Sequence, residues 1–309
     1  MPIEFTKISS FVLENLPRDK SVFFFPVGPL EDHGPHLPLG LDLQEAHFLC
    51  TLTAKYLEEQ TPGWHGIIMP QAPLGIESNT TRIAITVRPH VLRDWLVDAT
   101  QSLVRLGFSH FVCYSGHIGP RQLTAIEEAG LIIRKQNRRK RWRSKLMGFK
   151  THYPTLISAR SAFIPLKDVL KSPFWPDPIE HGGKRDTSVA LALNEKEVKP
   201  LYKTLSNFPQ NSSRWMRNLN RRRNRMTGYW GNPSGAEAAL GEQELLKIIT
   251  RLFPKLKAVW DGANPNSIFR SWYSILPPNK SFFKAWILVA CIICLMATWI
   301  LLNSSLNFI

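Results

Sequence analysis

Directly after an apolar run, Ser21–Val27, the chain reads Pro26-Val-Gly-Pro-Leu-Glu31-Asp-His33-Gly-Pro-His36-Leu-Pro-Leu-Gly-Leu-Asp42. Glu31, His33 and Asp42 are three potential metal ligands of mixed type leaving one strand end. Glu31 and His33 are two apart, so in extended backbone they point to the same side. Asp42 returns after a Pro/Gly-rich turn and has two oxygens with which to bridge two cations. His117 follows a second apolar run, His110–Tyr114, at Ser115-Gly116-His117. Mixed carboxylate and imidazole suit Zn, Mn or Fe. Two such ions about 3.5–4 Å apart can activate a bridging water while one polarises a carbonyl. His36 belongs to the first run but is as suited to orienting the loop as to touching metal. His47, His65, His90, His110 and His152 fit no motif.

The elements that must position these residues can be read from periodicity. Strands are predicted at Ser21–Val27, Gly66–Pro70, Ile83–Val87 and His110–Tyr114, with a further one in Leu146–His152 that can continue to Ile157. Helices are predicted at Leu43–Glu58 with Asp42 as its cap, Val91–Leu106, Gln122–Arg134, Thr187–Leu193 and Ala236–Phe253. Strands alternating with helices imply an α/β domain of three layers, α/β/α, around a mostly parallel sheet. In such sheets ligands bind outside the carboxyl ends of strands, where both candidate groups fall.

The 309 residues allow one large domain, and the formal net charge of +15 is concentrated. Arg134–Lys145 carries eight Lys/Arg in twelve residues and Arg214–Arg225 carries six. Read as loops, 134–145 and 214–225 suit an anionic membrane surface; nucleic acid is disfavoured, since no recognised motif surrounds them. The four cysteines form no disulfide framework, and the N-terminus lacks the pattern of a signal peptide. Ala285–Leu302 is uncharged throughout. As a helix it would span ~27 Å, close to a bilayer's hydrocarbon thickness. The division expected is a domain over 1–275, a linker at 276–284, a single transmembrane helix at 285–302 and a tail at 303–309. Lys280 and Lys284 flank the span, and the tail has no charge, so the domain is expected on the cytoplasmic side.

Four motifs together resemble the creatininase family. The first run is similar to its Glu-x-His-Gly-x-His-Leu-Pro stretch followed by Asp. Ser115-Gly116-His117-Ile118-Gly119 resembles Asn-Gly-His-Gly-Gly. His181-Gly-Gly-Lys-Arg-Asp186-Thr187-Ser188 resembles His-Ala-Gly-x-x-Glu-Thr-Ser. Gly228-x-x-Gly231-Asn232-Pro233-x-x-Ala236 resembles Gly-x-x-Gly-Asp-Pro-x-x-Ala. The resemblance implies metal-dependent hydrolysis of a C–N bond in an amide, cyclic amide or formamide, on a small-molecule or membrane-associated substrate. It implies two ions: Glu31, Asp42 and His117 would hold one, His33 and Asp42 the other, with Asp186 reaching the second. His181 would be the catalytic acid/base histidine. It also implies a homo-oligomer.

The departures fall on substrate-facing positions. Creatinine-hydrolysing members carry Glu where this chain has Gly119, and the family's His and Phe-Pro-Gly after Gly75 are replaced around Thr80. A changed substrate fits this pattern. So does a membrane-tethered scaffold that has kept the fold and lost activity.

Overall fold

The computed structural model describes residues 2–76, 83–146, 154–163, 180–208, 227–271 and 282–306, the side chains of 138–146, 282–287 and 301–306 apart. A five-stranded sheet has the order β1-β4-β2-β6-β7, formed by Ile3–Glu4, His65–Ile68, Ser21–Val27, His110–Ser115 and Thr155–Ser158 respectively. Every pairing in it is parallel. β3 (Leu30–Glu31) and β5 (Ala84–Ile85) make a separate antiparallel pair.

β2 is buried along its whole length, and its alternation explains the layering. Val22 and Phe24 face one side, where α2 (Leu41–Gln60), α5 (Lys184–Asn194) and α6 (Ala238–Trp260) supply Leu49, Val189 and Leu252. Phe23, Phe25 and Val27 face the other, under α3 (Pro89–Arg105) and α4 (Pro120–Leu146), which supply Leu96 and Ile126. The chain passes from β2 to β4 on one side and then to β6 on the other. That reversal opens a crevice at the carboxyl ends of β2 and β6.

Several expectations are adjusted. Asp42 is not a helix cap: Gly40 holds that position and Asp42 sits in the first turn of α2, where the helix N-terminus favours a carboxylate. The stretch 83–87 yields only β5, which pairs with β3 and lies outside the main sheet. Residues 134–145 lie on α4, not in a loop. Arg, Lys and Gln are strong helix formers, and they carry α4 well beyond Arg134. The last strand begins at Thr155; most of the predicted Leu146–His152 stretch lies outside the described residues, as do 214–225 and Thr80.

Among the described residues no helix is long and apolar enough to cross a membrane. The expected transmembrane span at 285–302 is thus not supported by them. A helix, α8, runs Phe282–Leu306, but its described side chains are those of 288–300, all exposed. A short helix, α7 (Pro265–Ile268), precedes it.

Phe23 is fully buried and meets Phe108 edge-on at 4.7 Å between ring centres. Phe23→Ala is expected to cost about 3–5 kcal/mol, read as a lower denaturant midpoint for the whole domain.

Candidate metal centre

Glu31 ends β3, just past β2. Its register against β5 fixes it: Glu31 pairs with Ala84, and its N–H donates to the Leu39 carbonyl. Asp42 comes from the first turn of α2, and His117 from the turn after β6. That turn requires glycine. A Cβ on Gly116 would stand 2.1 Å from the Asp42 carbonyl oxygen, so only glycine lets the end of β6 approach α2 this closely. Ser115 Oγ donates to the His117 carbonyl at 2.6 Å and steadies the turn.

The three side chains converge. His117 Nδ1 lies 3.0 Å from Glu31 Oε1 and 3.6 Å from Asp42 Oδ2. Tetrahedral ligands about 2.1 Å from one zinc ion stand about 3.4 Å from each other, a separation these distances bracket. Glu31 Oε2 and Asp42 Oδ2 are buried without a hydrogen-bond partner. A carboxylate oxygen closed to water and unbonded is costly, and a divalent ion removes that cost. The donor set and the orphaned atoms fit a metal ion here.

His33 stands beside this group. Its Nδ1 donates to the Glu31 carbonyl at 3.1 Å, leaving Nε2 turned to Asp42 Oδ1 at 3.5 Å. A backbone acceptor that selects the tautomer is the usual support of a ligating histidine. His181 stacks on His33 at 4.2 Å and on Trp230 at 4.8 Å, so its ring is held between two others. His181 Nε2 contacts the Asp32 carbonyl at 2.8 Å. In the neutral ring Nε2–H donates there, and Nδ1 keeps the lone pair. A Cβ on Gly182 would lie 2.2 Å from the His33 carbonyl, so the loop carrying His181 can press on the first motif only with glycine. His36 is turned away: its Nε2 is bonded to Thr187 Oγ1 at 2.8 Å, tying the first motif to the start of α5.

Asp186 is placed differently. Its Oδ2 accepts from the Gly182 N–H at 2.8 Å and its Oδ1 from Arg185 Nη1 at 3.0 Å. Arg185 also grips Glu45 through both nitrogens, at 3.1 and 2.5 Å, and Arg160 joins Glu45 at 3.1 Å. Sequence reasoning passed over Glu45, Arg160, Arg185 and Trp230. For Glu45, Arg185 and Trp230 the one signal was position, inside or beside the motifs; Arg160 lies in none of them.

Protonation follows from these contacts. Burial pulls His33 and His117 down, but their carboxylate partners outweigh it, Asp42 foremost. His33 is pushed up to about 9 and His117 to about 10. Burial alone would raise Asp42, yet the charge of His33 and the close approach of both histidines hold it well below the usual range. His181 is lowered by burial and by the His33 charge, and is therefore neutral at pH 7. Burial with the His33 charge nearby brings His36 down to about 4. Burial and the Asp186 charge lift Glu180 to about 7. Asp186 is lowered, the Arg185 charge outweighing its burial.

The sequence matches the creatininase family, described as creatinine amidohydrolase, over residues 7–256. That is most of the chain, and the chain belongs to this family. Solved structures share the fold. One is "Creatininase Mn", at 19% identity and TM-score 0.61, covering 84% of this chain and 99% of that one. A mutant creatininase of Zn-Zn type has 18% identity and TM-score 0.60, again with 84% and 99% covered. A putative creatinine amidohydrolase from Bacteroides fragilis NCTC 9343 has 19% identity and TM-score 0.58, with 84% and 97% covered. No curated protein matches the sequence.

Because both histidine values are raised on folding, the stability they give the metal-free protein is complete below about pH 6.5 and lost as pH climbs through about 9 to 10. Metal must displace those protons. Zinc or manganese affinity is expected to rise about tenfold per pH unit below 9 for the His117 proton alone, measured by chelator competition. Gly116→Ala is expected to cost about 1–3 kcal/mol from steric overlap and to weaken metal binding, read by denaturation and metal content.

Proposed function

We propose that the chain is a metal-dependent amidohydrolase that cleaves the C–N bond of a small amide, cyclic amide or formamide. The observation that carries this reading is the Glu31–Asp42–His117 group, with its buried unbonded carboxylate oxygens close to His181. Family membership and relatives named for manganese and zinc support a divalent transition metal. When bound there, such an ion makes water a nucleophile at neutral pH and polarises a carbonyl.

The chain's own groups do the rest. Glu31, Asp42 and His117 hold and charge-balance the ion. His181 offers Nδ1 as the base, because the Asp32 carbonyl takes the proton on Nε2. It takes a proton from the attacking water and returns it to the departing nitrogen, so the proton balance closes on one residue. Trp230 and His33, stacked on its two faces, keep the ring in one orientation. The substrate-side departures around Thr80 and at Gly119 favour a substrate other than creatinine.

A location is proposed with the activity. The uncharged run 285–302 and the exposed Leu288, Ile292, Ile293, Leu295, Met296, Trp299 and Ile300 of α8 support attachment of the domain to a membrane through its C-terminal helix. The positive flank supports a cytoplasmic side, and the basic segments would then meet anionic headgroups. Assembly into a homo-oligomer is part of the same reading.

A screen of amides, cyclic amides and formamides against zinc- or manganese-loaded protein tests the activity. His181→Gln is expected to lower kcat about 10²–10⁴-fold with metal content unchanged. Asp42→Ala is expected to lose both metal and activity. Turnover equal in Asp42→Ala and the parent would reject the reading. Flotation with anionic vesicles tests the location: full-length chain should float, and a chain ending at residue 278 should depend on low salt to do so.

A further inference from the structure

Two clusters in the crevice bring ligand atoms together, Glu31–Asp42–His117 and Glu31–His33–His181. They are not equivalent. The first holds both orphaned carboxylate oxygens, Glu31 Oε2 and Asp42 Oδ2, and the second shares only Glu31 with it. In the second, the His33 and His181 rings lie 24° from parallel at 4.2 Å. Imidazole lone pairs lie in the ring plane, so stacked rings send them side by side and do not converge them on one ion. His181 Nε2 is also taken by the Asp32 carbonyl. What remains beside His33 is Asp42 Oδ1 at 3.5 Å, and among the described residues the carboxylate in reach as a third ligand is Glu31, which the first cluster already uses.

Asp186, the acid that could have completed this position, is engaged at both oxygens, by Gly182 N–H and by Arg185. Arg185 is itself fixed, its two nitrogens on Glu45.

We infer that this chain firmly holds one ion, at Glu31–Asp42–His117, and that Arg185 withholds Asp186 from ligation, so that among the described residues the position beside His33 is left without a third ligand of its own. The inference rests on the metal-dependent reading above and sets its stoichiometry.

Full-length protein dialysed against excess manganese and then against metal-free buffer tests it. Mass spectrometry is expected to find about one ion per chain, and electron paramagnetic resonance an isolated-ion spectrum without spin coupling. Asp186→Asn is expected to keep that ion, whereas Asp42→Asn loses it, circular dichroism confirming that both fold. Two retained ions per chain, a spin-coupled spectrum, or loss of metal in Asp186→Asn would each overturn the inference while leaving the hydrolase reading standing. A wild-type chain that takes no ion would sink both.

Discussion

Two buried carboxylates, Glu31 and Asp42, are brought to one point by elements with no other reason to meet there. Their ligand atoms lie within 4.8 Å, where like charges repel by about 3–4 kcal/mol at an effective dielectric near 20. Something positive must stand between them. In the metal-free chain His33 and His117 take that part, which is why both are held protonated well above the ordinary histidine range. A metal ion replaces those protons and uses the same atoms. The tight turn at Gly116, the β3–β5 pairing and the start of α2 each serve this convergence.

The structure around this point pairs the neighbouring acids with cations. Glu45 has two guanidiniums, from Arg160 and Arg185, and Asp186 shares the second. Glu45 and Arg160 are buried and Asp186 and Arg185 partly so, and a buried ion survives only when paired. His181 and His36 are kept neutral by burial and by the His33 charge. The crevice therefore combines a negative centre with an uncharged base. That is the arrangement hydrolysis of an unreactive C–N bond requires.

Much of this was legible in the sequence because it depends on local pattern. The seven-residue β2, the 3.6-residue period of α3 and the order of four motifs all report on neighbours along the chain. Glu31, His33, Asp42, His117 and His181 do meet in the structure. What was not legible depends on partners distant in sequence. Arg185 and Asp186 are adjacent, but only the fold brings Glu45 to Arg185 and so decides what Asp186 is free to do. Trp230 reaches His181 through a short antiparallel bridge between two loops, which no periodicity announces. Asp42 resembled a helix cap because acids favour both the cap and the first turn, and the chain's path through Gly40 selected the latter.

Anomalous X-ray scattering, recorded at the metal's absorption edge from crystals of the zinc- or manganese-loaded protein, tests the central claim most directly. The account predicts a peak with ligand bonds of about 2.0–2.2 Å to Glu31, Asp42 and His117. A loaded protein with no peak among these three residues, or with its metal held elsewhere, would contradict it.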